Sequence, residues 1–150
     1  MSLVIPNEAE VQLLRELLDG GATRNNWTLR LYQSNTTPSE TDALASNPFT
    51  EANFTNYVSK TLTRTVSGST WSTPASGPPT GSWSAEASVA ESAYGASAQS
   101  WTCGATGNTV YGYWIEDATN AKFVGAERFA SSIVLVGGAT LTLQPRFGLS

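Results

Sequence analysis

The spacing of apolar residues changes once along this 150-residue chain, and the change limits the folds that the chain can adopt. Up to Asp19, apolar residues recur three and four positions apart, which is the spacing of one face of a helix. Gly20 and Gly21 then predict a stop, because glycine readily adopts the left-handed conformation at a helix C-terminus. From Trp27 onward the period is two, the alternation of a strand. The chain therefore predicts a single domain, residues 1–150, in which one helix precedes a β-rich body.

The predicted helix covers residues 7–19. Asn7 and Glu10 have the spacing of a capping box, in which each side chain accepts from the other residue's backbone N–H group. The apolar residues of the helix are Val11, Leu13, Leu14, Leu17 and Leu18. We expect this apolar face to be buried, either against the chain's own sheet or against a second subunit.

The β-rich body shows about seven to nine short strands separated by turn residues. "WTLRLYQS" places Trp27, Leu29 and Leu31 on one face of the first strand. Strands do not alternate with helices, so a parallel sheet is not expected. The predicted fold class is mainly β: an antiparallel β-sandwich of jelly-roll type with one N-terminal α-helix.

The segment Thr109–Phe129 contains Glu116, Asp117 and Glu127, and a pair of such carboxylates is what a glycosidase needs. One face of the strand is predicted to hold Val110, Gly112, Trp114 and Glu116. Asp117 then points to the opposite face, so Glu116 and Asp117 are not expected to flank one bond. We interpret these charges as solvated hairpin ends and cross-strand ion pairs, with an intersubunit ion pair as an alternative.

The composition argues against most catalytic and metal chemistry. The chain has no histidine and one cysteine, Cys103, so histidine-based catalysis, histidine-ligated zinc and thiolate clusters are excluded. We expect no catalytic residue, cofactor or metal site. Eight basic residues and a net charge of −4 argue against direct nucleic-acid binding, and no apolar run reaches the roughly 20 residues of a membrane span.

Two groups of residues are candidates for binding. The residues predicted to lie in a protein interface are Leu14, Leu18, Pro38, Phe49 and Phe54. The last three belong to the long connection Asn35–Phe54, whose apolar content is typical of a loop that contacts a partner. Trp27 and Trp114 are predicted to lie in the core. The alternative candidates, which would stack on a sugar ring, are Trp71, Trp83 and Trp101.

A succession of short segments runs along nearly the whole chain: "VIPNEAEVQLLRELL", "LRLYQSNTTPSETD", "FTEANFTNY", "TVYGYWIED", "GAERF" and "GGATLTLQPRFGLS". This succession resembles that of capsid decoration (cement) proteins, small structural proteins of tailed bacteriophages. The resemblance implies a β-sandwich without active-site residues that binds the major capsid protein and itself.

The resemblance also implies that the protein is made in the host cytoplasm and is located on the outer capsid surface of the virion. A homo-oligomer is expected, with a trimer slightly favoured over a dimer, because icosahedral shells offer threefold and twofold positions. The alternative is a phage tail or fibre β-sandwich that binds a receptor or carbohydrate.

Overall fold

The computed structural model describes residues 3–18, 25–64, 70–72, 75–77, 89–95 and 98–149. One helix, α1, spans Asn7–Leu18, and a 3₁₀ turn spans Leu44–Ser46. The strands are β1 Trp27–Tyr32, β2 Lys60–Leu62, β3 Ala75–Gly77, β4 Val89–Ala93, β5 Gln99–Thr102, β6 Asn108–Asp117, β7 Lys122–Leu135, β8 Thr140–Leu143 and β9 Arg146–Leu149. The prediction of a mainly β chain with one N-terminal helix is confirmed. Asp19, Gly20 and Gly21, the predicted end of the helix, lie outside the described residues.

All strand pairs in the described part are antiparallel, as predicted. The largest sheet has four strands in the order β2-β1-β6-β7. Two smaller sheets have the orders β3-β4-β9 and β5-β8. The β6–β7 hairpin is the longest element, and it forms half of the large sheet. β7 is therefore one edge of that sheet, and β2 is the other.

The larger apolar core packs on one face of the four-stranded sheet. Trp27, Leu29 and Leu31 of β1 are at most 8% exposed and belong to it, so the face predicted from their alternation is confirmed. The other buried members are Leu3, Ala52, Phe54, Leu62, Tyr94, Trp101, Cys103, Val110, Tyr113, Ile115, Val124, Leu135 and Leu141. The N-terminal segment and the long loop thus contribute to the same core as the strands.

A second, aromatic cluster lies around Phe49, on the long loop between β1 and β2. Its buried members are Tyr32, Phe49, Trp114, Phe123 and Ala126. The Phe49 ring stacks on Tyr32 and on Trp114 at centroid distances of 4.6 and 5.7 Å. The long loop is therefore folded against its own sheet, and Trp114 is buried as predicted.

An irregularity in the β6–β7 pairing changes which residues share a face. Gly112 lies opposite Arg128, but Val110 lies opposite Ile133, so four residues of β7 face a single residue of β6. This bulge shifts the alternation, and Val110 packs with Tyr113 in the larger core while Trp114 packs in the aromatic cluster. The predicted common face of Val110 and Trp114 is wrong for this reason.

Candidate protein-binding face

Helix α1 exposes three of its apolar residues to solvent and packs a side of mixed polarity against the protein. Val11, Leu14 and Leu18 are 52%, 56% and 77% exposed, and their spacing of three and four places them on one stripe. We call these three residues the apolar stripe. The opposite side of the helix lies over Trp27, Phe123 and Val124, and its residues are Ala9, Gln12, Leu13 and Glu16. The side chain of Leu17, the remaining predicted apolar residue, lies outside the described part.

Polar contacts fix this orientation of the helix. Glu16 forms an ion pair with Arg64 at 2.6 Å, and both side chains are less than 20% exposed. The Arg64 guanidinium also lies 4.3 Å from the centre of the Trp27 ring. One turn earlier, Gln12 donates to Asp117 at 2.8 Å. Because these partners are specific in position, the helix cannot rotate its apolar stripe inward without breaking them.

The start of α1 is fixed by a different carboxylate from the one predicted. Glu8 accepts hydrogen bonds from the backbone N–H groups of Phe123 at 2.6 Å and Leu44 at 3.0 Å. The backbone N–H of Asn7, which a capping box would give to Glu10, donates to the carbonyl of Glu40. The predicted capping box is therefore wrong. Glu8 ties the helix to both the hairpin and the long loop.

Two carboxyls in contact with or within α1, those of Glu16 and Asp117, have lowered pKa values. The hydrogen bond from Arg64 is the main cause for Glu16, and it outweighs the opposing effect of burial. Burial alone would raise the pKa of Asp117, but hydrogen bonds from Asn120, Gln12 and Asn25 outweigh it and lower the pKa. Ionisation of Glu16 and of Asp117 therefore strengthens the contacts that hold α1 in place.

The three carboxylates of the hairpin have separate structural partners. Glu116 accepts from Arg30 Nε at 2.9 Å and from Trp114 Nε1 at 2.8 Å. Asp117 accepts from the backbone N–H groups of the turn that follows it, and Glu127 accepts from the Tyr113 hydroxyl at 2.7 Å. The expected Arg30–Glu116 type of cross-strand ion pair is present. The predicted solvation of Glu116 and Asp117 is wrong, because Glu116 is 6% exposed and Asp117 is fully buried.

The predicted interface residues divide into two sets. Leu14 and Leu18 are exposed on α1. Pro38 is buried, and Phe49 and Phe54 are 6% and 2% exposed inside the chain's own cores. These three loop residues were predicted to contact a partner because exposed apolar side chains are unfavourable in water. Since the chain's own fold already buries them, that reason does not apply. The sequence did not reveal this because their contacts lie on distant strands.

Of the three tryptophans predicted to stack on a sugar, the two that the structure describes do not expose an open ring face. Trp101 is 2% exposed, and its indole N–H donates to the carbonyl of Val58 at 2.7 Å. Trp71 is half-buried and packs edge-on against Trp27 and Tyr94. Trp83 lies outside the described residues.

Sequence reasoning missed a shallow depression of about 490 Å³ beside the long loop, lined by residues 51–54 and 57–59. The carboxylate of Glu51 lies at its wall and accepts two hydrogen bonds from Arg30, at 2.8 and 2.9 Å, and one from the Tyr57 hydroxyl at 2.9 Å. Burial raises the pKa of Tyr57, so its hydroxyl keeps its proton and remains a donor. This fixed carboxylate is the second candidate site, after the apolar stripe.

Within the described ranges, no cluster of three or more acidic or cysteine side chains has the arrangement of a metal site. None of the described helices is long and apolar enough to cross a bilayer. No protein-family model matches the chain, and no curated protein matches it significantly. The candidate sites therefore depend on the residues and their geometry alone.

Proposed function

We propose that this protein is a non-enzymatic structural protein of a virion, a decoration protein that binds the major capsid protein and stabilises the shell. The observation that carries the proposal is the orientation of α1, whose apolar stripe faces solvent while polar contacts hold its other side. The sequence resemblance to capsid decoration proteins supplies the identity of the partner. We further propose that the antiparallel sheets belong to a sandwich of jelly-roll type.

An exposed apolar stripe on a fixed helix is suited to binding a groove in another protein. Anchors at positions i, i+3 and i+7 match the way in which an amphipathic helix enters a hydrophobic groove. The helix needs no folding on binding because Glu8, Gln12 and Glu16 already hold it in place. Binding therefore avoids most of the entropic cost of ordering a segment.

The apolar stripe alone would bury only a small area, and the many identical sites of a capsid would compensate for this. A stable interface usually buries about 1,000 Å² or more, so α1 must be supplemented by other contacts. A shell presents many copies of the same site, and a homo-oligomer that engages several of them gains effective concentration. Moderate affinity per copy is then sufficient to stabilise the capsid by mass action.

A second function, binding of a receptor or carbohydrate by a tail or fibre protein, is favoured by one observation. The depression beside Glu51 combines a fixed carboxylate with Asn53 and the side of Tyr57, and such groups can bind sugar hydroxyls. We rank it lower because Trp101 is buried and Trp71 is half-buried, which leaves no described tryptophan as an open platform.

The test is co-sedimentation of purified protein with undecorated shells assembled from the major capsid protein encoded alongside it. We expect saturable binding and a higher thermal disruption temperature of the shell. A glycan array is the parallel measurement for the second function. Binding to a defined glycan without any binding to shells would overturn the proposal. Specific glycan hydrolysis that is lost in Glu116→Gln or Asp117→Asn would overturn its non-enzymatic part.

A further inference from the structure

The depression beside the long loop is concave because the chain reverses direction within it. Residues 51–54 form one wall and residues 57–59 form the other. Between them, Asn56 has a φ of 73°, in the left-handed region that asparagine enters more readily than most residues. The backbone N–H of Tyr57 then donates to the carbonyl of Phe54 at 2.9 Å. This tight turn brings the second wall back toward the first.

Backbone contacts hold the first wall and the turn in place. Ala52 donates to the carbonyl of Leu31 at 2.9 Å, and Thr55 donates to the carbonyl of Thr106 at 3.0 Å. Gly104 donates in turn to the carbonyl of Thr55, and a Cβ atom at Gly104 would lie 2.6 Å from the Thr55 side chain. This close approach requires glycine. The depression is therefore preformed, and a ligand does not have to order it.

The first wall presents a hydrogen-bond acceptor next to a donor. Burial alternates from Glu51 to Phe54, so Glu51 and Asn53 point to the same side. Glu51 Oε2 accepts one hydrogen bond, from Arg30, and a carboxylate oxygen can accept a second. The Oδ1 atom of Asn53 accepts from Asn108 at 2.6 Å, which fixes the amide, and no described residue accepts from its Nδ2 group. An acceptor and a donor side by side match two adjacent hydroxyls of one ligand.

The second wall supplies apolar surface. Val58 is 62% exposed and lines the depression. Tyr57 lines it too, and its ring packs edge-on against Phe54 at a centroid distance of 5.2 Å. Ligand sites commonly combine apolar surface with a few placed polar groups. A pyranose ring has the matching form, with C–H groups on its faces and hydroxyls at its rim.

We infer that the depression binds a neutral pyranose sugar through two adjacent hydroxyls, without a metal ion. Glu51 is the only charged side chain among the lining residues, and its charge repels the carboxylate or sulfate of an acidic sugar. A metal ion or an amine gains little there, because Arg30 already donates to both carboxylate oxygens. The inference rests on the second proposed function, sugar binding, and adds the class of sugar. It does not depend on capsid binding through α1.

The geometry predicts weak binding of a single sugar. The depression is shallow and supplies few hydrogen bonds, so we expect a dissociation constant of about 1 mM. The depression and the apolar stripe consist of different residues. A protein that is bound through α1 can therefore keep its depression free. Many copies on one shell then raise the effective affinity for a polysaccharide that repeats the sugar.

The first experiment is an NMR titration of the isotope-labelled full chain with the methyl pyranosides of glucose, galactose and mannose. At least one is expected to shift the amide signals of residues 51–59, and EDTA should leave the shifts unchanged. Glucuronic acid and N-acetylneuraminic acid are expected to bind at least tenfold more weakly. Absence of shifts for all three neutral sugars up to about 50 mM, or their loss with EDTA, overturns the inference. Preference for an acidic sugar also overturns it, but leaves the second function standing.

A substitution at Asn53 tests the assigned donor. Asn53→Asp keeps the oxygen that accepts from Asn108 but removes the donor and adds a charge, so it should weaken sugar binding at least tenfold. Asn47→Asp is the matched control, because Asn47 is also exposed in the long loop and also accepts through Oδ1, from the backbone N–H of Phe49. Equal weakening in both variants refutes the site.

The apolar wall is tested in the same way. Val58→Ser should weaken binding severalfold while the protein stays folded, whereas Val134→Ser, at a similarly exposed valine of β7, should have no effect. Wild-type affinity in Val58→Ser contradicts the inference. Leu14→Gln with Leu18→Gln should leave sugar binding unchanged, which separates this result from failure of capsid binding.

Discussion

Replacing Leu14 and Leu18 by glutamine tests whether the apolar stripe of α1 is a binding surface. Glutamine has nearly the helix propensity of leucine, so the change removes apolar surface without weakening the helix itself. The two residues are 56% and 77% exposed, which means that less than half of one and a quarter of the other is already buried. Since a fully buried leucine contributes roughly 1.5–3 kcal/mol, the double variant should lose only about 1–2 kcal/mol of folding stability.

The expected effect on binding is larger than the effect on folding. The exposed parts of the two side chains together equal about one and a third leucines, which contribute roughly 2–4 kcal/mol if a capsid groove buries them fully. This corresponds to a loss of roughly 30- to 1,000-fold in affinity per site.

The assay is co-sedimentation with undecorated shells over a range of protein concentrations, together with urea unfolding of each variant. Val58→Gln is the matched control, because Val58 is 62% exposed and lies in the loop before β2. Wild-type affinity in a folded Leu14→Gln, Leu18→Gln variant would falsify the assignment of this surface. So would an equal loss of affinity in the Val58 control.

Three further predictions concern stability. Phe49→Ala should lower the free energy of unfolding by about 3–5 kcal/mol in urea titrations, because the ring lies between Tyr32 and Trp114. A change below about 1 kcal/mol would contradict the packing of the aromatic cluster. The pKa of Glu16 is lowered in the folded protein, so its contribution is present above its ordinary value of 4.5 and is lost as the pH falls through the folded value. Glu16→Gln should therefore destabilise at pH 7 and reduce the acid-induced loss of stability, as measured by unfolding at pH 7 and near pH 3; an unchanged pH dependence is the contrary result. Glu116→Gln should cost about 2 kcal/mol, because it removes the less exposed of the two carboxylates that pair with Arg30 and leaves only Glu51. A neutral effect in urea unfolding speaks against the Arg30–Glu116 ion pair.

Local patterns in the sequence were enough to predict the helix, the β-rich body and the buried face of β1. These features depend on residues a few positions apart, such as Trp27, Leu29 and Leu31, whose alternation is visible in the sequence itself. The antiparallel arrangement also followed from the absence of helices between the strands. The jelly-roll topology stays a prediction.

Features that depend on long-range pairing were not predictable. The bulge that separates Val110 from Trp114 arises from the register of β6 against β7, which neither strand specifies alone. The orientation of α1 depends on Glu16 meeting Arg64, 48 positions away. Periodicity grouped Leu13 with Val11, Leu14 and Leu18, but the structure places Leu13 on the side that packs against the protein. It also could not show that polar partners hold that side of the helix.

The loop residues also show that the sequence does not identify what covers an apolar side chain. An apolar loop residue such as Phe49 is equally compatible with a partner and with the chain's own sheet, and only the fold distinguishes the two. In this structure the Phe49 ring stacks on the rings of Tyr32 and Trp114. Apolar content in a connection therefore predicts burial, and the identity of the covering surface needs the structure.

The most direct test of the central claim is a cryo-electron microscopy map of shells decorated with the wild-type protein. We predict that α1 faces the capsid, with Val11, Leu14 and Leu18 in contact with an apolar groove of the major capsid protein and the Glu16–Arg64 pair directed away from it. A map in which the protein is bound but the apolar stripe faces solvent, or in which shells carry no density for the protein at saturating concentration, would contradict the account.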